Sequence, residues 1–441
     1  DAYYRKETLQ PYASCFQIEE LKNWTPGNDP DARYNRVNVP LKERAAGPLV
    51  NGTASKDAKV VSLAVDAAGG KSMGGDVADV YAFTNFQYLD VYNYWGGFGQ
   101  TGVINTPSPE YIAAAHRNGV AVTGTIFFPW GDPEFVGEAM KQFVEQDADG
   151  SFIIADKLIE LADYYGFEGW FINQESDVSQ ELADKLREMM AYIQERKPEG
   201  FIMQWYDSML PSGGISYQNA VNSKNIGMIQ EGSTRYSDQV FLNFNWAVPG
   251  DDSLIKTSID TMEAAGRDRF DILATWETFP YAKGDGTQHS GRLRHLIENN
   301  GVDGKLGTSL GFLQATSTLG MANGPADFQN NTDLDMWVNS EHDPRVDYDL
   351  SKDEEHPTKN FPGLATVIAD KTPILGTDFV THFTTGNGKK FYEDGKVVRD
   401  REWYNRTMTD VMPTWKWIVD NTNANLQPEI DFSDAYWAGT S

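Results

Sequence analysis

Phe167-Glu168-Gly169-Trp170-Phe171-Ile172-Asn173-Gln174-Glu175 is apolar and aromatic for its first two-thirds and then turns abruptly polar. That pattern suits a buried strand that opens into a loop. Side chains alternate along a strand, so Asn173 and Glu175 share one face and Gln174 points away. An amide and a carboxyl then stand side by side at a strand's C-terminal end. If the strand belongs to a (β/α)8 barrel, that is the end where active sites are built.

Working outward, seven more short β-prone runs recur at broadly regular intervals. They are Lys59–Val65, Tyr88–Asn93, Val120–Phe127, Phe201–Tyr206, Val240–Trp246, Phe270–Trp276 and Ser309–Gln314. Helical patterns lie between several of them. Ser108-Pro109 starts one, with an N-cap residue followed by Pro at the first position. Gln180–Lys197 is another, with Leu182, Leu186, Met189, Met190 and Ile193 on one face and Pro198 ending it. Alternating strands and helices indicate a parallel α/β fold, and eight strands indicate a (β/α)8 TIM barrel. Residues 1 to about 55 are polar and Pro-rich, and we expect them to cap the barrel bottom or lie along its side.

After about Leu319 the texture changes. A loop-like stretch gives way to a β-rich C-terminal region, with a strand expected at Asp378–Phe383. A hairpin is expected around Tyr392–Val398, where Asp394-Gly395 is a strong turn signal. The division expected is a catalytic barrel with its capping segment over 1–345, then a β-rich accessory region over 346–441. Ala435–Gly439 reads as a strand at the point where a further β-domain would continue. The chain opens on Asp1 with neither Met nor a signal-type segment, as a processed or trimmed product would.

The formal net charge of −27 disfavours nucleic acid and anionic membranes as partners and suits a neutral substrate. No apolar run approaches the ~20 residues of a membrane span. The single cysteine, Cys15, permits no internal disulfide, which fits a cytosolic protein or a secreted bacterial one that avoids cysteine. Aromatic residues make up 12% of the chain, 12 of them Trp. Trp at loop tips would suit sugars, whose flat apolar faces stack on rings; about half are expected in ordinary packing.

The chemistry centres on Asn173 and Glu175. A carboxyl in an aromatic, partly dry pocket can keep its proton and serve as a general acid. Glycoside cleavage usually needs a second carboxylate, about 5–5.5 Å away for retention. Here the residue two positions earlier is an amide. An amide can hydrogen-bond an N-acetyl group and aim its carbonyl oxygen at the anomeric carbon, so that the substrate supplies its own nucleophile. Tyr206, ending the next strand, could reach the same acetamido group; a core tyrosine is the equal alternative. Gly97-Phe98-Gly99-Gln100-Thr101-Gly102 fits G-x-G-x-x-G, but no helix begins on it, so it reads as a loop over the site. His289 and His295 lack a third ligand, and Asp147-Ala148-Asp149-Gly150 lacks the remaining oxygen ligands of a calcium loop, so no metal or other cofactor is expected.

Four motifs together resemble glycoside hydrolase family 85. They are Tyr92–Gln100 (Tyr-Asn-Tyr-Trp-Gly-Gly-Phe-Gly-Gln), Gly169–Glu175, Trp205-Tyr206-Asp207-Ser208 and Asn243-Phe244-Asn245-Trp246, in order across roughly residues 60 to 320. Phe383–Gly386 and Pro413–Trp415 resemble the family's post-barrel region less strongly. The resemblance implies an endo-β-N-acetylglucosaminidase that cuts between the two GlcNAc units of the N-glycan core, and often transfers the glycan to other acceptors. It assigns Glu175 as acid/base, Asn173 as the residue orienting the 2-acetamido group, and Tyr206 as its helper. Tyr94, Trp95, Trp130, Trp246 and Trp276 are the expected subsite aromatics, with Glu277 as a ligand to mannose hydroxyls. The expected partner is the N-glycan of a glycoprotein, with the enzyme a monomer, either secreted or at a bacterial cell surface, or else cytosolic. Two rivals stay open: a two-carboxylate glycosidase using Glu231 or Glu277 as nucleophile, and a barrel that binds glycans without cutting them.

Overall fold

The computed structural model describes residues 15–412 except 48, 66–73, 79, 97–101, 249–251, 278–292, most of 314–330, 352–360 and 377. The glycine loop, His289, Pro413–Trp415 and Ala435–Gly439 therefore lie outside the described residues, apart from Gly102.

Eight parallel strands close on themselves. They are β1 (Val60–Val65), β2 (Val91–Trp95), β3 (Ala121–Phe128), β4 (Gly169–Gln174), β5 (Ile202–Tyr206), β6 (Gln239–Phe241), β7 (Ile272–Glu277) and β8 (Ser309–Leu313). Each pairs with the next, and β8 pairs with β1 through Gly311↔Val61. This is the (β/α)8 barrel expected from the sequence. Three runs differ from expectation. The second strand starts at Val91, because Phe86–Tyr88 forms a buried 3-10 turn ahead of it. The sixth stops at Phe241, and Asn243–Trp246 forms a loop above it. The seventh starts at Ile272, because Arg269–Asp271 forms a 3-10 turn ahead of it.

The helices around the barrel include α1 (Pro109–Arg117), α2 (Pro133–Phe143), α3 (Ile153–Tyr165), α4 (Gln180–Arg196) and α5 (Ser253–Ala264). In α4 the Ser179 hydroxyl accepts from Leu182 N, and the apolar face buries Ala183, Leu186, Met189, Met190 and Ile193. Ser108 does precede α1, but its hydroxyl donates to Glu110 Oε2 at 2.6 Å instead of capping a backbone N–H.

Strand alternation splits the apolar residues into two cores. Trp170, Ile172 and Trp205 face outward into the large core beneath the helices. Val61, Leu63, Val91, Phe171, Phe241 and Leu273 fill the barrel. Gly311 belongs to this inner packing: a Cβ there would lie 2.6 Å from the Phe241 ring.

The lower end, at the strands' N-termini, is tied by carboxylates in a repeating pattern. Asp90, just before β2, accepts from Val60 N at 2.9 Å. Glu168, before β4, accepts from Val122 N at 2.8 Å. Asp238, before β6, accepts from Met203 N at 2.7 Å. Each also meets a basic side chain: Lys371 for Asp90, His116 for Glu168 and Lys197 for Asp238. The N-terminal segment both lies alongside and caps from below. Trp24 is buried against Tyr164 and Tyr165, while Asp29 Oδ2 accepts from Trp24 Nε1 and Tyr165 Oη. Further on, Lys42 N donates to His116 O under the barrel.

Residues 361–412 pack on the barrel's side. Arg117 Nη1 donates to Thr407 O at 2.6 Å, and Arg406 Nε donates to Tyr81 O at 3.0 Å. The expected hairpin is present, pairing Phe391–Glu393 with Lys396–Arg399. Asp394 and Gly395 both take positive φ, 49° and 72°, as a type I′ turn requires. Asp378–Phe383 is not a strand. Among the described residues it joins no ladder, Val380 is 88% exposed, and Phe383 turns at φ 52°.

Candidate active site

The top of β4 carries the amide and the acid. Asn173 and Glu175 point the same way, and Asn173 Nδ2 donates to Glu175 Oε2 at 2.8 Å. That bond leaves Asn173 Oδ1 as the amide's acceptor atom. Gln174, facing away, clamps the turn that follows. Its Nε2 donates to Ser176 O at 2.8 Å, and its Oε1 accepts from Ser176 N at 3.2 Å. The Ser176 hydroxyl then donates to Pro129 O, tying the β3 loop to the same turn. The acid therefore stands on a fixed strand end and not on a loose loop.

Glu175 has a second partner that sequence reasoning missed. Tyr217 Oη donates to Glu175 Oε1 at 2.8 Å. Tyr217 lies on the long connection after β5, and nothing in the sequence marks its path back over β4. Tyr206, at the end of β5, stands beside this group with its ring against Tyr217 and Phe244. Its hydroxyl donates to Asn243 Oδ1 at 2.7 Å. Asn243 in turn donates to Asn219 Oδ1 at 2.7 Å.

Burial, with the charge of Glu175 behind it, pushes both phenols above their ordinary range, so Tyr206 and Tyr217 remain neutral donors. Burial likewise raises the Glu277 carboxyl. It pushes Asp207 up to about 6, against the downward pull of its hydrogen bonds.

The remaining residues singled out by sequence fall into two sets. Trp95 and Glu277 lie on the inward alternation of β2 and β7, and Trp95 packs edge-on to Phe127 and Phe171 below the amide. Trp130 stands 77% exposed just beyond β3, on the loop pinned by Ser176. Tyr94, Trp246 and Trp276 are not brought to the mouth. Tyr94 faces Tyr111 of α1. Trp276 stacks on Phe312 and meets Trp246 edge-on, and both indoles are buried in the outer core. Trp246 Nε1 donates to Thr275 O at 2.7 Å. Alternation within Tyr94-Trp95 and Trp276-Glu277 lets only one member of each pair face inward.

Glu231 sits on an exposed two-residue strand, paired with Arg187 at 3.0 Å. It is outside the barrel and is not a partner nucleophile. Among the described residues no group of three or more His, Cys, Asp or Glu could hold a metal ion.

A parallel (β/α)8 barrel with a hydrogen-bonded acid and amide at one strand's C-terminal end, walled by aromatics, defines a barrel glycoside hydrolase. The chain belongs to glycoside hydrolase family 85: the family model described as "Glycosyl hydrolase family 85" matches residues 65–391. Its sequence is similar to cytosolic endo-beta-N-acetylglucosaminidases. It is 26% identical to that of Danio rerio over 94% of this chain and 51% of the relative, and 27% identical to that of Gallus gallus over 100% and 53%. The chain thus spans about half the length of the curated relatives it matches. Its fold is similar to the glycoside hydrolase domain of Spr0440, Endo-D, from Streptococcus pneumoniae R6. The TM-score is 0.80 at 34% identity, covering 95% of this chain and 62% of that one.

Proposed function

We propose that the chain is an endo-β-N-acetylglucosaminidase that cuts the GlcNAc-β1,4-GlcNAc bond of N-glycan cores, with the substrate's own acetamide as nucleophile. The observation carrying this is the 2.8 Å bond from Asn173 to Glu175 at the mouth. This pairing of an amide with a carboxyl supports a reading in which Glu175 is the acid and Asn173 orients the acetamide, where a two-carboxylate enzyme would have a nucleophile. The names of the animal relatives support the same activity.

Glu175 protonates the glycosidic oxygen. The acetamide carbonyl oxygen attacks the anomeric carbon, while Asn173 Oδ1 accepts from the acetamide N–H and sharpens that attack. A protonated oxazoline forms, its N–H still held by Asn173 Oδ1, and the leaving sugar departs carrying the proton from Glu175. Glu175 then takes a proton from water, which opens the oxazoline with retained configuration. A sugar hydroxyl in place of water gives transglycosylation. Neutral Tyr206 hydrogen-bonds the acetamide, and Trp95, Trp130 and Glu277 contact the glycan. The chain acts as a monomer. Of the two locations open on sequence, the word "cytosolic" in the relatives' names favours the cytosol.

Mass spectrometry of a treated glycoprotein tests the bond cut. Released glycan ending in one GlcNAc, with one GlcNAc left on asparagine, is expected; an unchanged glycoprotein contradicts the proposal and leaves only binding. A thiazoline that mimics the oxazoline should inhibit tightly. Lack of inhibition would favour a two-carboxylate mechanism using Glu277.

A further inference from the structure

Asp207 directly follows Tyr206, yet its side chain turns from the mouth and is 2% exposed. Its oxygens hold two separate parts of the wall. Oδ1 accepts from Gln218 N at 3.2 Å and Asn225 Nδ2 at 2.9 Å. Oδ2 accepts from Asn243 N at 3.4 Å. Gln218 is the chain neighbour of Tyr217, which holds Glu175. Asn243 is the acceptor for Tyr206. One buried carboxylate thus sets both phenols.

We propose that ionised Asp207 is a positioning residue for the reaction: it fixes Tyr217 on Glu175 and Asn243 on Tyr206, and the site loses its geometry when Asp207 takes a proton. This rests on the function proposed above.

Gln218 and Asn243 donate through backbone N–H groups, and the Asn225 amide is held in its donor orientation because its Oδ1 accepts from Asn222 N at 2.8 Å. Protonating the carboxyl removes the charge that strengthens these bonds and adds an O–H for which none of the three groups is an acceptor. Burial places this event at about pH 6, within reach of an ordinary pH profile. The titratable groups around Asp207 are Tyr206 on β5 and Tyr217 on the loop, with Glu175 beyond Tyr217; the loop over 218–225 and the end of β6 present amides. Formation of the oxazoline needs the proton on Glu175, so within kcat/KM, which ends at that step, a loss of rate on the acid side needs a different group, and Asp207 supplies it.

The test is the pH profile of kcat/KM for glycan release by the wild-type chain and by D207N and N225A. Cleavage by the wild type is the control for the function itself, so a failure of that reading shows first and separately. D207N should lower kcat roughly 10- to 100-fold with a much smaller change in KM, and should erase the acid limb. N225A keeps Asp207 but removes a bond that favours its charged form, so the acid limb should move up by about half a pH unit or more. N225A also keeps the test decisive should D207N fail to fold. A wild-type acid limb in both variants, or an N225A limb that stays in place, overturns the proposal.

Discussion

The two ends of the barrel treat carboxylates in opposite ways. At the lower end Asp90, Glu168 and Asp238 each accept a backbone N–H from the preceding strand and meet a basic side chain. At the upper end, among the described residues, Glu175, Asp207 and Glu277 have no ion-pair partner; Glu175 and Asp207 are held by amides, a phenol and backbone N–H groups. A basic partner and a backbone N–H together hold a carboxylate in one place. That is useful where strands must be tied, and unhelpful where a proton must be given and taken back. The same residue types therefore serve stability below and chemistry above.

The contrast can be broken from either end. Glu175→Gln has the largest expected effect: loss of glycan release by roughly 1000-fold with the thermal midpoint unchanged, since amide and phenol can still pair with the new side chain. Comparable turnover would remove Glu175 from its role. Glu168→Ala should do the reverse. It strands Val122 N and His116, so chemical denaturation should show a loss of about 2 kcal/mol, with kcat of the folded enzyme kept. A kinetic defect without a stability defect would erase the distinction between the ends.

Tyr217→Phe is milder. It removes one donor from Glu175 and should slow release roughly tenfold at unchanged stability. A rate equal to wild type would mean that this hydrogen bond does not position the acid.

Asp333 sharpens the comparison from a third place, buried with no ion-pair partner among the described residues. It begins the short helix Asp333–Trp337 and accepts from Asn85 Nδ2 and Thr318 Oγ1. Burial pushes it up to about 7. Because the folded state holds this proton more tightly than the unfolded chain, the contribution to stability is full at low pH and fades as pH rises through about 7. Between pH 5 and pH 8 the wild type should lose about 1–3 kcal/mol relative to Asp333→Asn. Parallel stability curves would refute this.

How much of this was legible in the chain follows from the range of each signal. The strand runs are local, and alternation within β4 places Asn173 and Glu175 together without further information. The same rule, applied to Tyr94-Trp95 and Trp276-Glu277, separates inward from outward members. Trp246 escapes it, because the strand ends at Phe241 and the loop above folds the indole back into the outer core. Tyr217 was invisible because its position depends on a loop path fixed by Asp207 and Asn225, contacts that no spacing encodes. Asp378–Phe383 shows the converse: a local β pattern is not a strand where, among the described residues, no neighbour offers a ladder.

The most direct test of self-attack by the substrate is Asn173→Ala, assayed on a glycoprotein and on a preformed glycan oxazoline. The oxazoline skips the step that Asn173 serves. Cleavage of the glycoprotein should collapse while the oxazoline is still processed at a rate near wild type. Equal loss on both substrates, or equal retention, would contradict the mechanism.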